Sequence, residues 1–362
     1  MPWRLMYTSE HSRHFPDLMA MNDAPSTATH DQPDDPRLLL EWLAVGWSRE
    51  VPTGATLGRR IMGRDLVLWR SSDGGLHCWL DLCIHRGAKL SLGTIQSHAG
   101  QECLACPYHG WRYAASGQCV SIPAHPGLTP PVKARAQTFA ARERYGVIWV
   151  CFGEPAGDVP EFPLAEEAGF RVLLAGPYRF RALGPRLVEN LLDVAHLGIV
   201  HAGLLGDPER GEIEDYEVDM GVHGASSGPA AKEIRIWQPD PDGTGTPALV
   251  SYHYEVQGPL TAHFVKLHGA QRFGILAQVA PIDSEFSEMR LVMVLNYGHE
   301  IPDVELIAFQ DHVTEQDRAI VESQRPQLLP LDLQAELHLR SDRMAIAYRK
   351  WLREIGFTYG VA

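Results

Sequence analysis

The sequence predicts an α+β fold in two parts: a small all-β domain, then a larger domain of antiparallel strands with helices. Three observations carry this. Short strand-like runs punctuated by turn signals fill residues 59–152. A Pro/Gly/acid-rich stretch, Gly153 through Pro163, then breaks the pattern. Beyond it, strand-like runs at residues 230–300 precede long helix-like segments, so helices and strands are segregated along the chain. The expected boundaries are a polar leader at 1–36, a first domain at 37–153 and a second at 164–362.

Composition narrows the function classes. The 362 residues match about two domains, and 45% hydrophobic content supports sizeable cores. A formal net charge of −13 excludes a generally basic surface for nucleic acid or an anionic membrane. No apolar run approaches the roughly 20 residues of a bilayer span. The Pro/Asp/Thr-rich leader, with Met21 as an alternative start, lacks the apolar region of a signal peptide and reads as disordered. A cytoplasmic protein is the expectation. All six cysteines lie between Cys78 and Cys151. In a cytoplasmic chain such clustering points to metal rather than to disulfides.

Taken in order, Leu38 to Leu43 opens the structure as a short helix or strand entry. Leu66–Trp69 and Leu76–Leu80 flank Ser71-Ser72-Asp73-Gly74-Gly75, a hairpin signature. Trp111–Tyr113 and Gln118–Ile122 flank a turn at Ser116-Gly117, and Tyr145–Phe152 is a further buried strand. Arg186 to Val200 is helical by pattern. Ala248–Tyr254 and Met289–Leu295 are strands, and 304–324 and 333–355 are two long helices.

The cysteine-rich region holds a paired pattern: Cys83-Ile84-His85, then Cys106-Pro107-Tyr108-His109. Each loop supplies one thiolate and one imidazole. A [2Fe–2S] centre with two thiolates on one iron and two imidazoles on the other needs that arrangement. Structural zinc prefers C-x₂₋₄-C and H-x₃₋₅-H pairings instead. Cys103 cannot replace Cys106, because only Cys106 stands three residues before His109. Cys78, Cys103, Cys119 and Cys151 read as buried strand residues.

A second constellation begins in the helical stretch Glu189-Asn190-Leu191-Leu192-Asp193-Val194-Ala195-His196, followed by His201. Asp193 and His196 are i, i+3 and share a helical face. His196 and His201 are five apart, about 140° apart on a regular helix, so the helix must end or bulge between them, as Gly198 permits. Two such histidines plus a carboxylate make a facial triad that holds Fe(II) with open positions. On 304–324, Asp317 shares a stripe with Val313, Ile320, Val321 and Gln324, where an unpaired carboxylate is costly. Asp311 is the alternative.

These motifs resemble those of the Rieske non-heme iron oxygenases. Cys83 through Gly93 and Cys106 through Trp111 are similar to the family's two cluster loops. Asn190-x-x-Asp193-x-x-His196-x₄-His201 and Glu315 through Gln324 are similar to its mononuclear-iron segments. The resemblance covers residue 38 to the end. One departure is the 20-residue gap from His85 to Cys106, with the extra residues in Ser97–Glu102.

The resemblance implies an all-β cluster domain and a helix-grip-like catalytic domain. It implies a [2Fe–2S] cluster on Cys83, His85, Cys106 and His109, and mononuclear Fe(II) on His196, His201 and Asp317. Asp193 would be the bridging acid toward a cluster histidine of a neighbouring chain, in a homotrimer. The chain has no G-x-G-x-x-G, so NAD(P)H would act through a separate flavin/iron–sulfur reductase or a ferredoxin. Within the family, Arg86 through Gly93, Glu143 through Trp149 and Tyr348 through Leu352 are similar to methylxanthine N-demethylases, with vanillate-type O-demethylases and aromatic sulfonate oxygenases more distant. The implied reaction is O₂-dependent hydroxylation or demethylation of a small aromatic or heterocyclic compound. Ring cis-dihydroxylation is the alternative, followed by a non-enzymatic electron carrier. His253, His263, Phe264, His268 and Asn296, with the helix before Asp317, are candidate pocket walls.

Overall fold

Short strands with tight turns build the first part: β1 (Leu43–Trp47), β2 (Thr56–Ile61), β3 (Arg64–Arg70), β4 (Leu76–Leu80), β5 (Thr94–His98), β6 (Gln101–Ala105), β7 (Arg112–Ala114), β8 (Cys119–Ser121), β9 (Thr138–Arg144) and β10 (Val147–Cys151). The computed structural model describes residues 35–221 and 228–362. Of the leader expected at 1–36, residues 1–34 lie outside the described residues, and Asp35 does not behave as leader. Asp35 is 2% exposed, and its carboxylate accepts the amides of Thr358 and Tyr359 at 2.5 and 3.0 Å. Leu38 to Leu40 is a turn, and β1 follows.

The first-part strands form two antiparallel sheets, ordered β1-β10-β9-β4-β3-β2 and β5-β6-β7-β8. Both expected hairpins are present, as β3–β4 and β7–β8. The extra residues at Ser97–Glu102 lie at the tip of the β5–β6 hairpin, where lengthening disturbs no core. Cys78, Cys103, Cys119 and Cys151 sit on strands, buried and free.

The second part is one antiparallel sheet of β11 (Arg171–Phe180), β12 (Val218–Asp219), β13 (Ala230–Gln238), β14 (Ala248–Gly258), β15 (Thr261–His268), β16 (Gln271–Pro281) and β17 (Ser287–Leu295). Its order is β11-β17-β16-β15-β14-β13-β12. The helices are α1 (Gly184–Leu192), α2 (Asp303–Ser323) and α3 (Arg343–Glu354). Two expectations need correcting. α1 stops at Leu192 rather than running to Val200, because Asp193 is extended and its Oδ1 accepts the Ala195 amide at 2.8 Å. The last helix starts at Arg343, not Leu333. Upstream, Glu336 is drawn out of any helical path by Arg186 and Arg349, at 3.0 and 2.5 Å. Ile320, expected on the buried stripe of α2, is 49% exposed.

β1 is an edge strand whose backbone is completed from the larger sheet. Gln278 Oε1 accepts the Ala44 amide at 2.8 Å, and Arg290 donates to the Ala44 carbonyl at 2.9 Å. Trp42, Trp47 and Trp149 pack with Leu276, Val292 and Val294 around this clamp. Burial draws the Arg290 pKa down, and Glu288 at 2.8 Å offsets part of that penalty. Arg290→Ala should therefore cost about 2–4 kcal/mol, since it strands the Ala44 carbonyl and unpairs Glu288. Guanidinium unfolding followed by tryptophan fluorescence measures this. An unchanged midpoint would show that the clamp carries no energy.

Candidate metal centres and cavity

The two Cys/His loops are built alike. In each, the cysteine amide donates to the carbonyl five residues on (Cys83 to Ala88, 2.8 Å; Cys106 to Trp111, 2.9 Å). In each, a glycine amide four residues on donates back to the cysteine carbonyl (Gly87, 2.9 Å; Gly110, 3.1 Å). Those glycines have φ of 70° and 67°, a conformation that a side chain disfavours. Cys83 and Cys106 are buried in a core with Trp69, Trp79, Leu104 and Tyr113. The Tyr113 hydroxyl lies 3.1 Å from Cys83 Sγ. His85 and His109 face outward, with ring centroids 4.5 Å apart and His85 stacked on Trp111. Buried sulfurs beneath outward imidazoles suit a two-iron cluster with one iron on each pair. His85 Nδ1 is buried without a hydrogen-bond partner, which fits a metal-binding nitrogen better than an idle one.

The second site forms where the chain leaves α1. After the Asp193 stop, a short 3₁₀ turn, Ala195–Gly198, carries His196, and His201 follows, 1% exposed. The His196 and His201 ring centroids are 5.1 Å apart. Asp317 comes across from α2. Its Oδ1 lies 3.6 Å from His196 Nε2 and 3.2 Å from His201 Nε2. Among the described residues, His196, His201 and Asp317 are the group whose ligand atoms all converge within 4.8 Å. Asp193 Oδ2 is 3.3 Å from His196 Nδ1, close but not aligned as a hydrogen bond. Burial pushes the Asp193 carboxyl up, yet His196 and the Ala195 amide outweigh it and hold the pKa below the usual range.

Two partners went unread in the sequence. Gln316 Oε1 lies 2.8 Å from His201 Nδ1 and fixes that ring, and Asn190 donates toward Asp317 Oδ1 at 3.5 Å. For His201, burial lowers the pKa, but Asp317 and Gln316 leave it raised. Asp311 does not approach the histidines in this way. It accepts the Tyr178 hydroxyl at 2.6 Å.

The triad opens on a cavity of about 200 Å³ between the large sheet and helices α1 and α2. Leu187, Leu191, Phe264, Ile275, Leu291 and Met293 make it mostly apolar, and Phe309, Val313 and Thr314 extend it along α2 before Asp317. The helix before Asp317 lines it as expected, and of the five named strand-region residues Phe264 alone does. His253 and His263 fall on the opposite face of the sheet, because strand side chains alternate. His263 instead meets Phe162 at 5.6 Å, His268 approaches Asp242 at 3.5 Å, and Asn296 clasps the Arg272 amide at 2.7 Å.

Comparison with known proteins assigns a family to each part of the chain. Residues 41–138 match the Rieske [2Fe-2S] domain, and residues 180–356 match the vanillate O-demethylase oxygenase C-terminal domain. The chain is 32% identical over 306 residues to methylxanthine N1-demethylase NdmA of Pseudomonas putida, covering 83% of this chain and 82% of that protein. It is 29% identical to methylxanthine N3-demethylase NdmB of the same species, covering 88% and 87%. The solved structure of NdmA from Pseudomonas putida CBB5 with caffeine superposes with a TM-score of 0.73 at 28% identity, covering 87% of this chain and 90% of that one.

The two carboxylates on α2 separate cleanly by experiment. Asp317→Ala should abolish Fe(II) binding at the histidine pair, leaving the visible spectrum of the iron–sulfur centre intact. Asp311→Ala should keep that iron and lose only about 1 kcal/mol of stability from the Tyr178 contact. Iron analysis after anaerobic reconstitution reads both, and the opposite pattern would move the ligand to Asp311.

Proposed function

The chain belongs to the Rieske non-heme iron oxygenases, as the oxygenase component, and from that premise we propose that it oxidatively removes an N- or O-methyl group from a small aromatic or heterocyclic compound. The observation that carries this reading is the convergence of His196, His201 and Asp317 on an apolar cavity, in a chain that also holds the two Cys/His loops. In this reading Cys83 and Cys106 hold one iron of the cluster and His85 and His109 the other. His196, His201 and Asp317 hold the mononuclear Fe(II). When bound, the cluster supplies electrons and the mononuclear iron supplies O₂ activation. The electrons originate from NAD(P)H through a separate reductase.

The protein's own part is positioning. Gln316 and Asn190 orient His201 and Asp317, and such outer partners commonly set metal affinity. The apolar walls exclude water and hold a methyl C–H toward the triad. Hydroxylation of that methyl gives a hemiaminal or hemiacetal, which releases formaldehyde without further help. In this reading the electron donor is a flavin/iron–sulfur reductase or a ferredoxin, and the setting is cytoplasmic. Among the described residues no helix is long and apolar enough to cross a membrane.

Electron delivery is proposed to run between chains of a homotrimer. No residue of the cluster loops lines the cavity or the groove outside Asp193. The loops carry an exposed apolar rim, with Ile84 53%, Tyr108 66% and Leu92 71% exposed. The groove beside Asp193 and His196 includes Ile320 and Leu337, 49% and 89% exposed. Rim and groove are complementary in character, and their union would set a cluster histidine against Asp193. Asp193→Asn should keep both metal centres and lose nearly all turnover, as read by iron content against steady-state rate. A wild-type rate would remove the bridge.

The chemistry is tested by a panel of N- and O-methylated aromatics and heterocycles with surrogate reductase and NADH. Formaldehyde stoichiometric with substrate loss is the expected product. Ring diols without formaldehyde would place the protein among the dihydroxylating members and leave the metal assignments standing.

A further inference from the structure

The cavity wall opposite the helices carries a buried cation. The register of β14 on β15 sets Tyr252 opposite Lys266 and Tyr254 opposite Phe264, and all four line the cavity. Lys266 is 9% exposed. Its Nζ donates to Gln238 Oε1 and to the Pro241 carbonyl, both at 3.3 Å, and lies over the Phe273 ring. An ammonium has three donors, so one remains. No carboxylate among the described residues is within ion-pair distance of it. Asp242 is engaged by Thr244 and His268, and Asp240 accepts the Gly245 amide. Burial draws the Lys266 pKa down and Asp242 and Asp240 restore part of it, leaving it at about 8.

Tyr252 is in the same position. Its oxygen accepts from Gln238 Nε2 at 2.8 Å, which leaves its own proton undonated, and burial raises its pKa so that the proton stays. Gln238, 1% exposed, therefore holds both groups, accepting from Lys266 and donating to Tyr252. A buried, unpaired cation in an apolar cavity is unfavourable until an anion joins it. A second donor beside it matches the two oxygens of one carboxylate.

We propose that the substrate carries a carboxylate, or an equivalent oxyanion, bound by Lys266 and Tyr252 on the sheet wall while its methyl group faces the triad. This deepens the demethylase reading and rests on it for the methyl group alone. The probes are benzoates bearing a methoxy or methylamino group at each ring position, with the matching benzamides as neutral controls. Binding is read by calorimetry on the iron-loaded protein, and formaldehyde release is measured separately. At least one acid should bind wild type about tenfold or more tightly than its amide, the effect of one charged hydrogen bond. Lys266→Met should erase that preference, weakening the acid by a larger factor than the amide, and Tyr252→Phe should weaken the acid by a smaller factor. Lys266→Gln, which can still donate to Gln238 or Pro241, serves if the methionine variant does not fold. Equal binding of every acid and amide, or a preference that survives both lysine variants, overturns the proposal. Lysine-dependent acid binding without formaldehyde would retain the anchor and remove demethylation. Formaldehyde release with no dependence on Lys266 would do the reverse.

Discussion

The hydrogen bond from the Ala195 amide to Asp193 Oδ1 ends α1, and the metal-binding geometry follows from that ending. Continued as a helix, the chain would set His196 and His201 about 140° apart around its axis, facing different neighbours. Instead the chain turns through the 3₁₀ segment Ala195–Gly198, and the ring centroids lie 5.1 Å apart. The same carboxylate keeps its other oxygen beside His196 Nδ1. One acid thus stops the helix and flanks the ring. Its cost is partial desolvation of the carboxylate, which the histidine and the local amides offset.

A platform is needed for so short a helix, and buried charge provides it. Arg349 on α3 donates to both oxygens of Glu189 on α1, at 2.6 and 2.9 Å, a bidentate pair of the strong kind. Arg186 and Glu336 close the group, which balances two positive and two negative charges. Such a network adds little net stability, because desolvation opposes attraction. Its effect is positional. α1 cannot slide along α3 without breaking paired charges in the interior, so Asn190 and the residues that follow it keep a fixed relation to Asp317 on α2.

These devices explain what was legible beforehand. The two Cys/His loops were readable as a pattern because their parts are local: a Cys, a His and a turn glycine within five residues. His196, His201 and Asp317 were readable because helical pattern and ligand chemistry agreed on where carboxylate and imidazole would be buried. Gln316 and Asn190 were hidden, since a polar residue beside a ligand carries no mark of which ring it orients. The segment before α3 was misread because Glu336 answers to distant arginines rather than to helical period. The cavity wall was misread for a different reason. β14 alternates between buried and half-exposed, but Ile275 through Pro281 on β16 is buried on both faces, so hydropathy does not say which side is which.

What decides the side is a contact on the far face. Gln278 and Arg290, cross-strand partners on β16 and β17, must point toward β1 to reach the Ala44 backbone. Side chains alternate along a strand, so the odd-numbered residues Ile275, Leu291 and Met293 are then obliged to face the cavity. A one-residue slip would exchange cavity wall for interface along the whole of both strands. The clamp that fastens the small domain therefore also fixes which residues meet the substrate. Along β16 and β17 the cavity can change its chemistry one odd-numbered position at a time without touching that clamp, whereas losing Gln278 or Arg290 would loosen the register on which those wall residues depend.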